Sequence, residues 1–362
     1  MARPTPTLLV IGGGFAGTHL ALKLQGVYDV TLVTSKKYFE VTYATVRSAV
    51  NPEFAKRTTI DYDEVPRLGR VVTGTVARLD TTSATLASGE VLHFDFVAIC
   101  TGSSYSSNLG KSIASVTKAE RLNELQGVYE QVKAAKSIVI IGGGASGVEY
   151  AAEIVEAFAG KALTVVGSGE RLIPAMPPRC GNYAKKWLEK HGTTVLLGEK
   201  ATVGSDPNTV VTSSGKQLQA DMIIMATGTK VVTSFLDDSP LESIRNKEGL
   251  IKVDPFFQVE GHANIFALGD CTDIPEEKLA YLAGFHATLC AQNMIKMQQG
   301  KGKLAPWTPW GGMPPAMFVS LGSSEGVGRM GSCTCIGGFP VGAIKSKDLF
   351  VGKARGQLGL KA

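Results

Sequence analysis

Two short stretches of this 362-residue chain have the residue types and spacing to hold phosphate. Residues 11–17 read IGGGFAG and residues 141–147 read IGGGASG, so G-x-G-x-x-G occurs at Gly12, Gly14 and Gly17 and again, 130 residues on, at Gly142, Gly144 and Gly147. In such a loop the first glycine makes the turn, the second lets the backbone approach a pyrophosphate, and the third lets a helix pack on the preceding strand. The N–H groups at the start of that helix then face the anion. Gly13, Phe15 and Ala16 complete the first cradle. A downstream acid, Asp270 in HANIFALGDCTD, sits where a strand ends, in position to take a polyhydroxyl chain.

Each cradle needs a β-α-β unit around it, and both have one. TLLV leads into the first loop, Leu20, Leu22 and Leu24 mark a helix after it, and VTLVT follows as a second strand. KSIVI, the second loop, EYAAEIVEAF and ALTVVG repeat that layout. Two further segments match each other, FDFVAICTGSS with Thr101-Gly102 and ADMIIMATGTK with Thr227-Gly228, each 80 to 90 residues beyond its own loop. The repeat therefore extends to whole domains. One such loop is a weak signal; two in context predict two bound dinucleotides.

Composition agrees with an ordered globular chain: 44% hydrophobic, 19% charged, net charge +5. That charge is a poor footprint for nucleic-acid binding. The six cysteines include no C-x-x-C, and Cys333 and Cys335 are too close for a zinc finger, so plain thiols and no metal are expected. No signal-peptide or membrane-span pattern is present, and Ala2 stands where N-myristoylation needs glycine. The expectation is a soluble, cytoplasmic protein of open oligomeric state.

The order glycine loop, Thr-Gly, glycine loop, Thr-Gly, Gly-Asp resembles the flavoproteins with two dinucleotide-binding domains. More narrowly, KYFEVTYATVRSAV, GGGASGVEYAAEI, VEGHANIFALGDCTDIPEEKLAYLAGFHA and IKSKDLFVGKARG are similar to the apoptosis-inducing-factor-like group that includes ferroptosis suppressor protein and its plant homologues. The resemblance implies an α/β fold of two Rossmann-like domains, with the NAD domain inserted in the FAD domain. Residues 1–108 and 253–303 would bind FAD, 109–252 would bind NADH or NADPH, and 304–362 would complete the active site. It also implies electron transfer from NAD(P)H through FAD to a quinone. The early segment YFEVTYATVRSAV has none of the cysteines that disulfide reductases of this superfamily carry. A soluble acceptor of the ferredoxin or monodehydroascorbate type, and a non-enzymatic nucleic-acid-binding death effector, are the alternatives.

Carried over residue by residue, the resemblance places Arg47 toward the flavin nucleotide, Val76 at the adenine, Asp270 at the ribityl chain and Gly269 beside it. Glu149 would orient the hydride donor. The helix beginning near Leu279 would direct its N-terminus at the flavin, with Lys278 adding charge or pairing with Glu149 and Tyr281 lining the acceptor pocket. His286 reads as helix packing rather than as a proton relay. One departure concerns FAD: where the second strand usually ends in an acid for the ribose hydroxyls, this chain offers Thr34, Ser35, Lys36 and Lys37, which predicts weaker FAD binding. The equivalent strand of the second unit ends in Gly167-Ser168-Gly169-Glu170-Arg171, with no acid at the usual place and an arginine near it, which predicts tolerance of NADPH. The basic C-terminal tail packs on the FAD domain or lies on anionic lipid.

Overall fold

The computed structural model describes residues 4–105, 110–112, 114–309, 316–331 and 333–361, and only the backbone of 333–336. The side chains of Cys333 and Cys335, and residues 310–315 of the connector before the last strands, lie outside that description.

Two parallel sheets organise the chain. The first has five strands in the order Ile265–Ala267, Phe96–Ile99, Thr7–Ile11, Asp29–Thr34, Arg70–Thr73. The second has four, in the order Thr194–Leu197, Ala162–Gly167, Ser137–Ile141, Met222–Met225. The strand Ile265–Ala267 follows the whole second sheet in sequence yet pairs in parallel with Val97–Ile99 of the first. The part of the chain built on the second sheet is thus an insertion within the first.

Successive residues of a strand face opposite ways, so a strand buried on both faces reads as a continuous apolar run. Leu8 and Val10 pack toward the helices Phe15–Leu24 and Ala280–Gln299, against Leu20, Leu24, Ala287 and Met294. Leu9 and Ile11 pack the other way, on the antiparallel meander Val76–Leu79, Ser83–Leu86, Val91–His93. The second sheet repeats this arrangement. Ile138 and Ile140 meet Val148, Ala151 and Leu188 of the helices Ala145–Ala157 and Pro178–Lys190, while Val139 and Ile141 meet Val210 and Ala220 at a second meander. Each fully buried leucine or isoleucine here contributes about 1.5–3 kcal/mol relative to exposure.

The two halves are joined where their Thr-Gly turns lead. Gly102 and Gly228 both have positive φ (65° and 64°), and the strands that follow, Ser103–Tyr105 and Thr229–Val231, pair antiparallel with each other. The C-terminal part adds the antiparallel sheet Met317–Leu321, Glu325–Met330, Cys333–Gly337. A continuous helical stretch over 339–346 follows, whose second half, Gly342–Ser346, is a π-helical turn. The helix Val351–Gln357 ends the chain with Val351 and Ala354 buried. Among the described residues no helix is long and apolar enough to cross a membrane.

Candidate functional site: two cradles meeting at a charged junction

The two glycine loops are built alike at their motif glycines. A Cβ on Gly12 would fall on the carbonyl of Cys100, and one on Gly142 on the carbonyl of Ala226. A Cβ on Gly17 would fall on the Gly12 carbonyl, and one on Gly147 on that of Gly142. Gly14 and Gly144 have open space around them and stand as the N-caps of their helices without side-chain caps. Two helix N-termini are therefore left with free N–H groups and room for an anion.

Around the first cradle the strand-end hydroxyls have a different division of labour from the expected one. The Tyr62 hydroxyl donates to the Gly13 carbonyl, to which Thr18 Oγ1 also donates at 3.0 Å. Thr34 is buried and shares a hydrogen bond with the Tyr62 hydroxyl, whose pKa burial raises to about 12. Thr34 is thus committed inside the protein, and Ser35, exposed beyond it, is the hydroxyl at the strand end that faces solvent. Lys36 lies over the Tyr38 ring at 5.3 Å, and burial lowers its pKa. Val76 begins its meander two residues after Gly74, whose N–H reaches the Thr34 carbonyl at 2.8 Å.

Asp270 follows the returning strand. Its Oδ2 accepts from Ser103 Oγ at 2.7 Å, and the Ser103 carbonyl accepts from Lys111 Nζ at 2.6 Å. Burial pulls the Lys111 ammonium down in pKa, with Asp270 opposing. Thr101 and Gly102 make the turn just before Ser103. Tyr105 ends the strand that pairs with Thr229–Val231, and burial first, then the charges of Asp270, Glu149 and Glu40, push its phenol up to about 12. The Tyr150 hydroxyl and Glu40 Oε2 are buried with no hydrogen-bond partner among the described residues. Uncapped cradles, a strand-end carboxylate and unpartnered buried polar atoms at one junction fit a bound FAD.

Glu149, Glu153 and Glu156 rise along one face of the helix Ala145–Ala157 at i, i+4 and i+7, and each holds a different segment. Glu149 Oε1 accepts from Lys345 Nζ at 2.6 Å, from the Ser320 N–H at 2.9 Å and from Ser320 Oγ at 3.1 Å, all buried. Glu153 takes a two-pronged ion pair from Arg47, at 2.9 and 2.7 Å, and burial raises the Glu153 carboxyl in pKa against that partner. Arg47 also donates to the carbonyls of Lys347 and Gly322. Glu156 accepts from the N–H and hydroxyl of Ser323.

This geometry corrects one expectation and adds to two others. Lys278 does not pair with Glu149; its ammonium folds back on the carbonyls of Thr272 and Ile274, and Lys345 from the far end of the chain takes the place. Arg47, expected toward the flavin nucleotide, donates to Glu153 and two carbonyls, because a buried carboxylate must be paired. His286 is buried and packed against Phe257 and Trp307, as expected, and in addition its Nε2 meets the Glu276 carboxylate and its Nδ1 accepts from the Gly269 N–H. Tyr281 donates to the Ala316 carbonyl at 2.6 Å, fastening the helix after Asp270 to the C-terminal sheet, and Leu279 is that helix's N-cap without a side-chain cap. In the second domain Ser168 is exposed at the strand end, and Arg171 is partly buried with Nη2 on the Pro174 carbonyl. Gly228 opens the turn that leads to the interdomain strand.

Sequence reasoning missed Tyr105, Lys111, Tyr150 and Lys345. The signal for Lys345 was present: three acids on one apolar-faced helix demand buried cations.

Residues 6–287 match the family described as pyridine nucleotide-disulphide oxidoreductase. The chain is similar to apoptosis-inducing factor homolog B of Dictyostelium discoideum, 35% identical with 97% of this chain and 96% of the relative covered. It is likewise similar to human ferroptosis suppressor protein 1, 31% identical with 95% and 93% covered. In fold it resembles the sulfide:quinone oxidoreductase of Aquifex aeolicus, with a TM-score of 0.73, 16% identity, and 98% and 92% covered.

Proposed function

The chain belongs to the pyridine nucleotide-disulphide oxidoreductase family, and from that membership we propose that this FAD-dependent NAD(P)H oxidoreductase passes its electrons to a quinone. Bound FAD would accept a hydride from the nicotinamide and release two electrons to the acceptor; the protein supplies binding, orientation and charge.

The first cradle, with Asp270 and Ser35, holds the flavin nucleotide, and the second, with Ser168 and Arg171, holds the nicotinamide nucleotide. Residues 1–108 and 253–303 form the FAD part and 109–252 the NAD(P)H part. Glu149, fixed by Lys345 and Ser320, stands on the first turns of the second cradle helix, where it orients the donor. The Lys345 ammonium supplies positive charge at the point where the C-terminal segment meets both domains.

The observation that carries the acceptor is what surrounds that lysine. Its ammonium donates to the Phe318 carbonyl, and the Phe318 ring meets Phe350 edge-on at 6.4 Å, so the C-terminal side of the junction presents aromatic surface. Cys100, Cys180, Cys271 and Cys290 are buried, unlinked thiols. No cysteine pair among the described residues stands ready to relay electrons, so they leave directly for an external acceptor. An apolar, planar acceptor suits that surface, and the resemblance to the ferroptosis suppressor group implies the same class.

The test is an anaerobic visible spectrum of the purified protein before and after one equivalent of NADH or NADPH. The flavin band should bleach and return on addition of a short-chain quinone. Bleaching that ignores quinone and reverses with a soluble electron-carrier protein or an ascorbyl radical would move the acceptor to that class.

A further inference from the structure

The helical stretch from Phe339 to Lys347 is turned inside out. Val341, Gly342, Lys345 and Ser346 are buried, whereas Phe339, Pro340, Ala343, Ile344 and Lys347 face solvent. Phe339 is 78% exposed and Ile344 44% exposed. The exposed positions 339, 343 and 347 recur at i, i+4 and i+8, as do 340 and 344 at i and i+4. This matches the wider turn of the π-helical segment Gly342–Ser346, so they form one outward stripe. A segment that buries a lysine and exposes a phenylalanine is held against the ordinary hydrophobic preference from both sides. The Glu149 carboxylate accounts for the inward lysine; among the described residues none covers the outward phenylalanine, which is left 78% exposed.

The charge around the stripe identifies its partner. After residue 340 the chain carries Lys345, Lys347, Lys353, Arg355 and Lys361 against a single acid, Asp348. The Asp348 carboxylate is occupied by the N–H groups of Phe350 and Gly352. Lys347 and Lys353 are exposed, and no acid stands on the stripe. Apolar side chains at the tip with lysines behind them is the arrangement that settles at the headgroup boundary of an anionic bilayer.

We propose that the stripe Phe339, Pro340, Ala343 and Ile344 docks this protein on the surface of an anionic lipid bilayer, with Lys347 and Lys353 among the headgroups. Ile344 and Lys345 are consecutive, so one residue enters lipid while the next holds Glu149. The Lys345–Glu149 contact therefore lies one residue from the bilayer face, where a lipophilic acceptor approaches it from the membrane. This last consequence rests on the quinone reading; the docking itself does not.

The full-length protein, loaded with FAD, is floated with vesicles of phosphatidylcholine containing a fraction of phosphatidylserine. The wild type should bind, more weakly at high salt, and the double substitution Phe339→Ser/Ile344→Ser should lower binding about tenfold or more. Because both side chains are solvent-exposed, the variant should keep its flavin content and its rate with a short-chain, water-soluble quinone. Its rate with a long-chain quinone in the same vesicles should fall with binding. Wild-type protein that stays off anionic vesicles while reducing soluble quinone would overturn the docking and leave the function standing. Vesicle binding lost in the variant, by a protein that reduces no quinone, would uphold the docking and remove the acceptor reading. A wild-type dimer in sedimentation that the same substitutions dissociate, without vesicle binding, would assign the stripe to a second copy of the chain and refute the lipid partner.

Discussion

At the scale of single residues, placement follows from what each charge must be paired with. Glu149 is a helix-start acid in the sequence, where the macrodipole favours it. Burial then makes a cation obligatory, and Lys345 is the one within reach at 2.6 Å. Replacing Lys345 with methionine should leave the flavin bound but slow its reduction by NAD(P)H about tenfold to a hundredfold, since a preorganised charge near reacting groups contributes that much. Stopped-flow reduction under anaerobic conditions measures it; an unchanged rate would make the lysine purely structural. Arg171 decides a different question. Neither Gly167 nor Ser168 at the strand end is an acid, Glu170 lies exposed two residues on, and the Glu199 side chain nearby is turned to Ser214 and Ser213, which hold its pKa down to about 2. A 2′-phosphate would therefore meet an arginine and little repulsion. Arg171→Ala should raise KM for NADPH about tenfold while leaving that for NADH within about twofold. Equal effects on both would locate the arginine away from the 2′ position.

At the scale of elements, the helix Ala145–Ala157 is the post to which the rest is tied. Its acid ladder holds the C-terminal sheet through Ser320 and Ser323, the C-terminal helical stretch through Lys345, and the short helix Thr45–Ser48 through Arg47. The Arg47–Glu153 pair is buried on both sides, so removing one partner strands a charge. Arg47→Met should destabilise the protein by about 3–5 kcal/mol, and the double variant Arg47→Met/Glu153→Met should recover most of that loss. A denaturant-unfolding cycle of the four proteins reads the coupling directly. A double variant no better than the single one would mean the remaining hydrogen bonds to Gly322 and Lys347, rather than the ion pair, hold these elements. The ladder was legible as spacing. Its partners were not, because Arg47 and Lys345 come from segments about a hundred and two hundred residues away in sequence.

At the scale of the whole molecule, the interface between the helices Phe15–Leu24 and Ala280–Gln299 closes one face of the five-stranded sheet, and His19 lies in it beside Gly284. Burial lowers the His19 pKa from its usual 6.5 to about 4, with the Phe15 backbone offsetting only part. Between those values the unfolded chain binds a proton that the folded one refuses. Stability is therefore whole above the unfolded pKa and is lost as pH falls toward the folded one, by about 3 kcal/mol in total. Urea midpoints at about pH 7 and about pH 4.5 should differ by less in His19→Leu than in the wild type. An equal acid loss in both proteins would place the sensitivity elsewhere.

What the sequence determined by itself is the repeated part: two glycine loops, two Thr-Gly turns and a Gly-Asp strand end, each a local backbone requirement that a few consecutive residues satisfy. The two-domain α/β fold and the demand for two nucleotides follow from these, because glycines at turns and continuous apolar strands leave few alternatives. The tertiary structure decided everything that depends on one segment meeting another. It gave Glu149 to Lys345 rather than Lys278, spent Arg47 on Glu153, closed Thr34 under Tyr62, and turned Phe339 outward while Lys345 went in. Burial makes pairing compulsory, but proximity selects the partner, and proximity between distant segments is a property of the folded chain alone.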